Sequence, residues 1–139
     1  MVLSLIYLMM AALYHGGDHV HDAQEIGAEI ARTDASPIEA AMLVELAFRE
    51  SAFERAAISR DGRDLCAYQL RDAPRSVLTD LRQCTEMALS RLRYSEDHCP
   101  SHPLAIYVAG SCSSPSGVRL DRWRMCEVRR IYRQVYDAL

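Results

Sequence analysis

The chain has 139 residues with a formal net charge of −3; half of the residues are hydrophobic and a quarter are charged. This length and balance are typical of one globular domain and leave little room for a second core. The sequence contains neither Lys nor Asn, so all 16 basic residues are Arg, and N-glycosylation is excluded.

Charge is divided unequally along the chain. Acidic residues dominate residues 1–54, whereas arginines outnumber them in residues 55–139. The Arg-only composition has two explanations, codon bias in a GC-rich genome or selection for bidentate contacts with anionic groups. No helix-turn-helix, RRM or zinc-finger spacing is present, so we predict no nucleic-acid partner. The arginines near the C terminus form either a face for an anionic polymer or the solvated side of an amphipathic helix: Arg119, Arg122, Arg124, Arg129, Arg130 and Arg133.

The first predicted element is a continuously apolar segment from Val2 to Tyr14. It is shorter than the ~20 residues that cross a bilayer comfortably. Both a signal-like h-region and a buried helix fit it. We therefore separate residues 1–14 from a domain at residues 15–139, and we expect membrane contact only through such a signal or anchor.

A polar hinge follows, from His15 to Asp22, with three His and two Asp. These side chains could bind a divalent metal. A solvent loop with flanking glycines explains them equally well, with Asp22 as the N-cap of the next helix. We predict no metal site and no cofactor.

Two amphipathic helices are predicted next. The first spans about residues 22–33, and the second begins at Pro37, where Ser36 and Glu39 form a capping box. Its apolar stripe places Glu50 on the core-facing side, where a carboxylate must be paired, protonated or functional. The alternative is a solvated acid in a fraying last turn. Two nearby acids are expected to be solvated: Glu45 and Glu54.

Residues 54–70 are predicted to be irregular, and the end of this segment, residues 66–70, forms a short strand or a buried turn. Helical periodicity resumes after Pro74 or at Thr79 and ends at Pro100. A short helix opens at residues 101–103 and ends at Gly110.

Residues 111–117 form a predicted loop before the last helix. That helix runs from about Leu120 to Tyr136, with Trp123 among its apolar positions and arginines opposite. The predicted fold is therefore mainly α, a single domain of five to six helices with at most a vestigial β-hairpin.

Five cysteines occur in this short chain, and none forms a CxxC pair, which excludes a zinc ribbon and a thioredoxin motif. Disulfides in an oxidising compartment are the better interpretation. Our first expected bridge joins Cys84 to Cys99, with Cys112 pairing with Cys66 or Cys126. The odd number leaves one thiol over.

Three motifs occur in order along the chain. Glu50-Ser51 ends a helix, Ala67-Tyr68-Gln69-Leu70 follows a turn at residues 59–62, and Ile106-Tyr107-Val108-Ala109-Gly110 comes last. Across about residues 37–112 this order resembles the lytic transglycosylase and goose-type lysozyme group of the lysozyme-like superfamily. That group has Glu-Ser, then Gly-x-x-Gln, then Ala-Tyr-Asn-x-Gly. Here Cys66 replaces the Gly, Tyr68 replaces the usual Met and Val108 replaces the Asn.

The resemblance implies a lysozyme-like fold and cleavage of the β-1,4 bond between N-acetylmuramic acid and N-acetylglucosamine. Glu50 would protonate the leaving oxygen, with its pKa raised by an apolar wall of Leu46, Ala47 and Phe53. The resemblance also implies four substrate-binding or positioning residues. Tyr107 would position the acid, Gln69 would contact an acetamido group, Ser51 would hold backbone or a sugar hydroxyl, and Tyr68 would join them.

A second carboxylate would decide the reaction type, and Asp61 and Asp64 are the candidates. Both also suit turn-forming surface positions. We expect lytic transglycosylase-like cleavage, in which the muramoyl 6-hydroxyl attacks intramolecularly and no second carboxylate is needed. The expected partner is a peptidoglycan glycan strand, and the expected location is exported: periplasmic, extracellular or phage-associated. The alternative is a catalytically impaired wall-binding or structural module. No oligomeric state is predicted.

Overall fold

The structure, a computed structural model, describes residues 3–13 and 20–136. Within them it contains six α-helices, a 3₁₀ turn at Arg75–Leu78 and one two-stranded antiparallel sheet, so the predicted mainly α fold is confirmed. In the sheet, Asp64 pairs with Arg71 and Leu65 with Leu70. The elements are α1 (Leu3–Leu13), α2 (Val20–Arg32), α3 (Pro37–Ser51), β1 (Asp64–Leu65), β2 (Leu70–Arg71), α4 (Leu81–His98), α5 (Ala105–Ala109) and α6 (Pro115–Tyr136).

Helix α3 is the central element and packs against α1, α2, α4 and α6. It begins as predicted: the Ser36 hydroxyl accepts from the Glu39 amide, and the Glu39 carboxylate accepts from the Ser36 amide. Arg93 of α4 donates to the same carboxylate at 2.8 Å. That hydrogen bond, despite partial burial and with help from Ser36, lowers the pKa of Glu39 to about 2. The start of α3 is thus capped and tied to α4.

The C-terminal end of α3 is a left-handed turn made without glycine. Ala52 and Phe53 have φ values of 52° and 64°. The Phe53 amide bonds back to the Ala47 carbonyl, the closing bond that helices commonly use at such ends. Phe53 is fully buried and fixes the direction in which the chain leaves. Glu50 therefore lies in a well-defined last helical turn.

The described part of the apolar N-terminal segment is α1, and one face of this helix packs into the core while Tyr7 and Leu8 are exposed. Ile6, Met9 and Met10 are buried. A Cβ added to Gly27 of α2 would lie 2.9 Å from the Met10 sulfur, so the missing side chain lets α1 approach α2 closely. No helix in the described residues is long and apolar enough to span a bilayer.

The predicted hinge falls partly outside the described residues, since His15, Asp18 and His19 belong to residues 14–19. Helix α2 starts at Val20, so Asp22 lies inside its first turn and is not the predicted N-cap. The Asp22 carboxylate instead accepts from the Arg55 amide at 3.2 Å. In the described part of the chain, no group of His, Cys, Asp and Glu side chains could hold a metal ion.

The last two helices differ from the prediction in their first residues. Helix α5 starts at Ala105, after turns at residues 101–104, and ends at Gly110, which has φ +70°. Helix α6 starts at Pro115, inside the predicted loop. The Ser114 hydroxyl accepts from the Gly117 amide at 3.2 Å, and Pro suits the first helical position, so these residues form a start signal.

The predicted orientation of α6 was wrong at two positions. Trp123 is 49% exposed, whereas Arg124 is only 4% exposed and lies in the core. The buried stripe of α6 runs at helical spacing through positions 117, 121, 124, 125, 128 and 131. The prediction counted Trp123 among the apolar positions, and this placed its neighbour Arg124 on the solvated side of the helix.

The first expected disulfide was also wrong. The bridges join Cys66 to Cys84 and Cys99 to Cys112, and Cys126 is a free, exposed thiol. Cys84 lies in the first turn of α4 and Cys99 caps its other end. A rise of 1.5 Å per residue separates them by about 22 Å, far beyond the ~7 Å that a disulfide spans between Cα atoms.

Candidate active site

A groove of about 790 Å³ brings the three sequence motifs together. Glu50 of α3 lies in it, the β1–β2 hairpin forms one bank, and residues 106–110 form the other. Helix α4 contributes Arg91 and Tyr94. Of the predicted site residues, four line the groove: Glu50, Asp64, Gln69 and Tyr107.

Glu50 is partly exposed, with 26% of its side-chain surface accessible. Its Oε1 accepts a 2.7 Å hydrogen bond from Nη1 of Arg124. Within the described residues Oε2 has no hydrogen-bond partner. The residues predicted to form an apolar wall beside Glu50, which are Leu46, Ala47 and Phe53, are fully buried and do not line the groove. Instead, a guanidinium from α6 holds one carboxyl oxygen of Glu50.

Arg124 is shared between two glutamates of α3. Its Nε donates to both oxygens of Glu45, at 3.0 and 3.1 Å, while Nη1 reaches Glu50. Glu45 is completely buried, so the prediction that it is solvated was wrong, as was that of a solvated Arg124. A buried carboxylate and a buried guanidinium are tolerated only as partners.

Burial and ion pairing have opposite effects on the pKa values of this triad. Burial raises the pKa of Glu45, and the hydrogen bond and charge of Arg124 counteract that rise. Burial also disfavours the charge on Arg124, but the two carboxylates outweigh it and raise the pKa of Arg124. Sequence reasoning missed this triad. The available signal was the spacing from Arg124 to Val128 and Ile131, which places all three on one helix face.

Ser51 connects the end of α3 to the turn between β1 and β2. Its hydroxyl donates to the Ala67 carbonyl at 2.8 Å and accepts from the Glu54 amide. Of its two predicted roles, the structure places Ser51 in the backbone-holding one. Glu50 and the turn at residues 66–69 are thereby fixed relative to each other.

The turn at residues 66–69 has two left-handed residues that are not glycine. Cys66 has φ +63° and Gln69 has φ +48°. Gly adopts the left-handed conformation without a Cβ clash, so both of these residues are strained. The Gln69 amide nitrogen donates to the Cys66 carbonyl at 3.1 Å. Gln69 is thus held in a strained turn at the groove edge.

Tyr68 cannot contact a substrate, because its side chain is fully buried in the core. Burial also raises the pKa of its hydroxyl. Its backbone matters more, since the Tyr68 carbonyl accepts from the Tyr107 hydroxyl at 3.0 Å. Burial, and then the negative charge of Glu50, raise the pKa of Tyr107. Tyr107 therefore lines the groove together with Glu50, and its hydroxyl is bonded to the hairpin turn on the opposite bank.

Helix α5 is anchored by its first amides. The Leu104 amide donates to the buried Asp121 carboxylate at 2.7 Å, and the Ile106 amide donates to the Ser95 hydroxyl at 3.2 Å. The Cys99–Cys112 disulfide closes the segment that contains α5. A helix of only five residues is thus positioned by α4 and α6.

The two candidate second carboxylates differ in position. Asp61 is exposed and outside the groove lining; its hydrogen bond from Ser59, followed by one from the Arg63 amide, lowers its pKa. Asp61 therefore has the turn-forming role. Asp64 lines the groove, but its two carboxylate oxygens accept hydrogen bonds of 3.1 and 3.2 Å from Arg71. The Val108 side, where the resembling family has Asn, is also part of the groove wall.

Removing the Cys66–Cys84 bridge should weaken both the fold and one groove bank. The two cysteines are 18 residues apart, so Cys66→Ala with Cys84→Ala should lower the free energy of unfolding by about 3 kcal/mol. Urea denaturation measures this value. Cys126→Ala is the matched control and should change stability by less than about 0.5 kcal/mol. Peptide mapping without reductant that finds Cys84 bound to Cys99 would contradict the arrangement.

Comparison of the chain with protein-family models, with curated proteins and with solved structures found no match.

Proposed function

We propose that the chain is a peptidoglycan-cleaving glycosidase that acts on the β-1,4 bond between N-acetylmuramic acid and N-acetylglucosamine. The observation that supports it most is the position of Glu50. It lies in the last turn of α3, inside a groove, with one oxygen held by Arg124 at 2.7 Å and the other without a partner in the described residues.

This geometry suits a general acid. Arg124 is a donor only, so Oε1 must accept, and any proton on the carboxyl group belongs on Oε2. Oε2 would deliver that proton to the leaving glycosidic oxygen. Gln69, on the hairpin bank, would contact an acetamido group, and Tyr107 would limit the movement of the acid. These roles come from the resemblance and the groove supports them.

The surroundings favour the lytic transglycosylase type of cleavage. Asp61 is outside the groove and Asp64 is paired with Arg71, so neither is placed to activate a water molecule. In the transglycosylase reaction the muramoyl 6-hydroxyl attacks C1 as the glycosidic bond breaks. Its proton returns to the Glu50 carboxylate, which restores the acid. The products are a 1,6-anhydromuramoyl end and a free 4-hydroxyl.

The two disulfides are compatible with an oxidising compartment outside the cytoplasm. We extend this to export into the periplasm, the extracellular space or a phage particle, where peptidoglycan is within reach.

A second candidate is a wall-binding or structural module with impaired catalysis. Two observations favour it: Val108 lacks the amide of the family Asn, and Arg124 pairs best with an ionised Glu50. Such a module would use the same groove for binding alone.

Product analysis distinguishes the two candidates. The full chain is incubated with purified cell walls, and the released muropeptides are analysed by mass spectrometry. Anhydro products, one water lighter than reducing ones, support the proposal in full. Reducing products support a hydrolase instead of a transglycosylase. Retention on insoluble wall without released muropeptides supports the binding module. If the chain is not retained and releases no muropeptides, both candidates are contradicted.

A further inference from the structure

Among the described residues that line the groove, one cation has no carboxylate partner. Arg124 pairs with Glu50 and Arg71 pairs with Asp64, so both carboxylates that line the groove already have an arginine partner. Arg91 of α4 also lines the groove and is half-buried. In the part of the chain that the structure describes, no carboxylate lies within ion-pair distance of Arg91. Arg91 therefore places a positive charge on the α4 side of the groove.

Arg91 lines the same groove as Glu50 and Tyr107. Its positive charge opposes the rise in the pKa of the Tyr107 hydroxyl, whereas the negative charge of Glu50 adds to that rise. A guanidinium that is partly withdrawn from water and lacks a partner is suited to a bidentate bond with a ligand carboxylate.

Tyr94 adds an apolar surface next to Arg91. It lies one turn further along α4, lines the same groove and is 53% exposed. Its ring stacks on His98 at 3.9 Å between centroids, which fixes its orientation. An exposed aromatic ring at the groove edge offers a flat face for the apolar side of a sugar ring.

We propose that Arg91 binds a carboxylate of the glycan strand and thereby selects strands with N-acetylmuramic acid over neutral β-1,4-linked N-acetylglucosamine. This inference depends on the proposed function. The carboxylate has two sources. In strands without stem peptides it is the lactyl group of N-acetylmuramic acid, and in substituted strands the lactyl group is an amide and the carboxylates belong to the peptide.

Calorimetric titration with three matched oligosaccharides tests the proposal. They are a β-1,4-linked N-acetylglucosamine tetramer, a tetrasaccharide alternating N-acetylglucosamine with peptide-free N-acetylmuramic acid, and the same tetrasaccharide with stem peptides. The Glu50→Gln chain is used throughout to prevent turnover. Adding Arg91→Gln should weaken binding of at least one carboxylate-bearing ligand about tenfold or more and leave the neutral tetramer unchanged. Arg82→Gln, on the exposed face of α4, is the control and should alter none of the three.

The outcomes separate the carboxylate sources and the two proposals. A loss confined to the peptide-free ligand identifies the lactyl group, a loss confined to the substituted ligand identifies the stem peptide, and a loss with both supports recognition of either. Equal affinities with and without Arg91→Gln for all three ligands overturn this inference and leave the proposed function standing. If the Glu50→Gln chain binds none of them, the proposed function fails and the inference fails with it.

Discussion

Replacing Glu50 by Gln is expected to slow the release of muropeptides from purified walls by about 10²–10⁴-fold, the usual contribution of a positioned general acid. The amide has the same shape as the carboxyl group but no acidic proton. Its oxygen can still accept from Arg124, so the groove and the fold should remain intact. The initial rate of release, measured by chromatography at equal protein concentration, gives the effect.

The matched control for this variant is Glu54→Gln. Glu54 is exposed, lies one turn beyond Glu50 and is not part of the groove lining. The Glu54→Gln chain should release muropeptides at the rate of the unmodified chain. Both variants should unfold at the same temperature as the unmodified chain. A Glu50→Gln chain that cleaves walls at the full rate would falsify the assignment of Glu50 as the acid.

Replacing Arg124 by Met should lower the free energy of unfolding by about 3–5 kcal/mol at pH 7. The reason is Glu45, which is fully buried and would lose both of its hydrogen bonds from the Arg124 Nε. Urea denaturation measures the loss. Arg122→Met, an exposed position on the same helix, is the control and should change stability by less than about 0.5 kcal/mol.

The loss in the free energy of unfolding caused by Arg124→Met, which we call the deficit, should grow as the pH rises. Burial raises the pKa of Glu45 in the folded state above its value in the unfolded chain. Protonated Glu45 therefore stabilises the fold at a pH below the unfolded-state pKa, and this stabilisation is lost as the pH rises through the folded-state pKa. Arg124 opposes this loss in the unmodified chain. The deficit should therefore be largest at neutral pH and should narrow as the pH falls towards about 4.3.

A second substitution tests the same explanation. Adding Glu45→Gln to Arg124→Met removes the buried negative charge, so it should recover part of the lost stability at pH 7 and flatten the pH dependence. A deficit that stays constant from acid to neutral pH would show that packing, and not the charge of Glu45, is responsible.

The helical part of the fold could be predicted because its signals are local. The capping box at Ser36 and Glu39 fixes the start of α3, and Gly110 fixes the end of α5. The period of the apolar residues indicates α2, α4 and the part of α6 from about Leu120 onward. For the same reason the Cys84–Cys99 bridge should have been rejected from the sequence, because the predicted helix between them keeps the two thiols apart.

The groove was predictable only in outline. The order of the motifs indicates that Glu50, Gln69 and Tyr107 face a common space, and all three line the groove. The triad of Glu45, Glu50 and Arg124 depends on contacts between residues 74 and 79 positions apart, which no local pattern specifies. Tyr68 was predicted to bind substrate because its motif resembles a binding segment, but Cys66, Ala67 and Tyr68 are all fully buried in the turn.

Helix α4 holds both banks of the groove through its cysteines, one at each end. In a thiol-rich milieu neither disulfide forms, so both banks of the groove lose their covalent links to α4. Under the proposed function, we expect binding of a glycan strand to depend on the oxidation of both cysteine pairs.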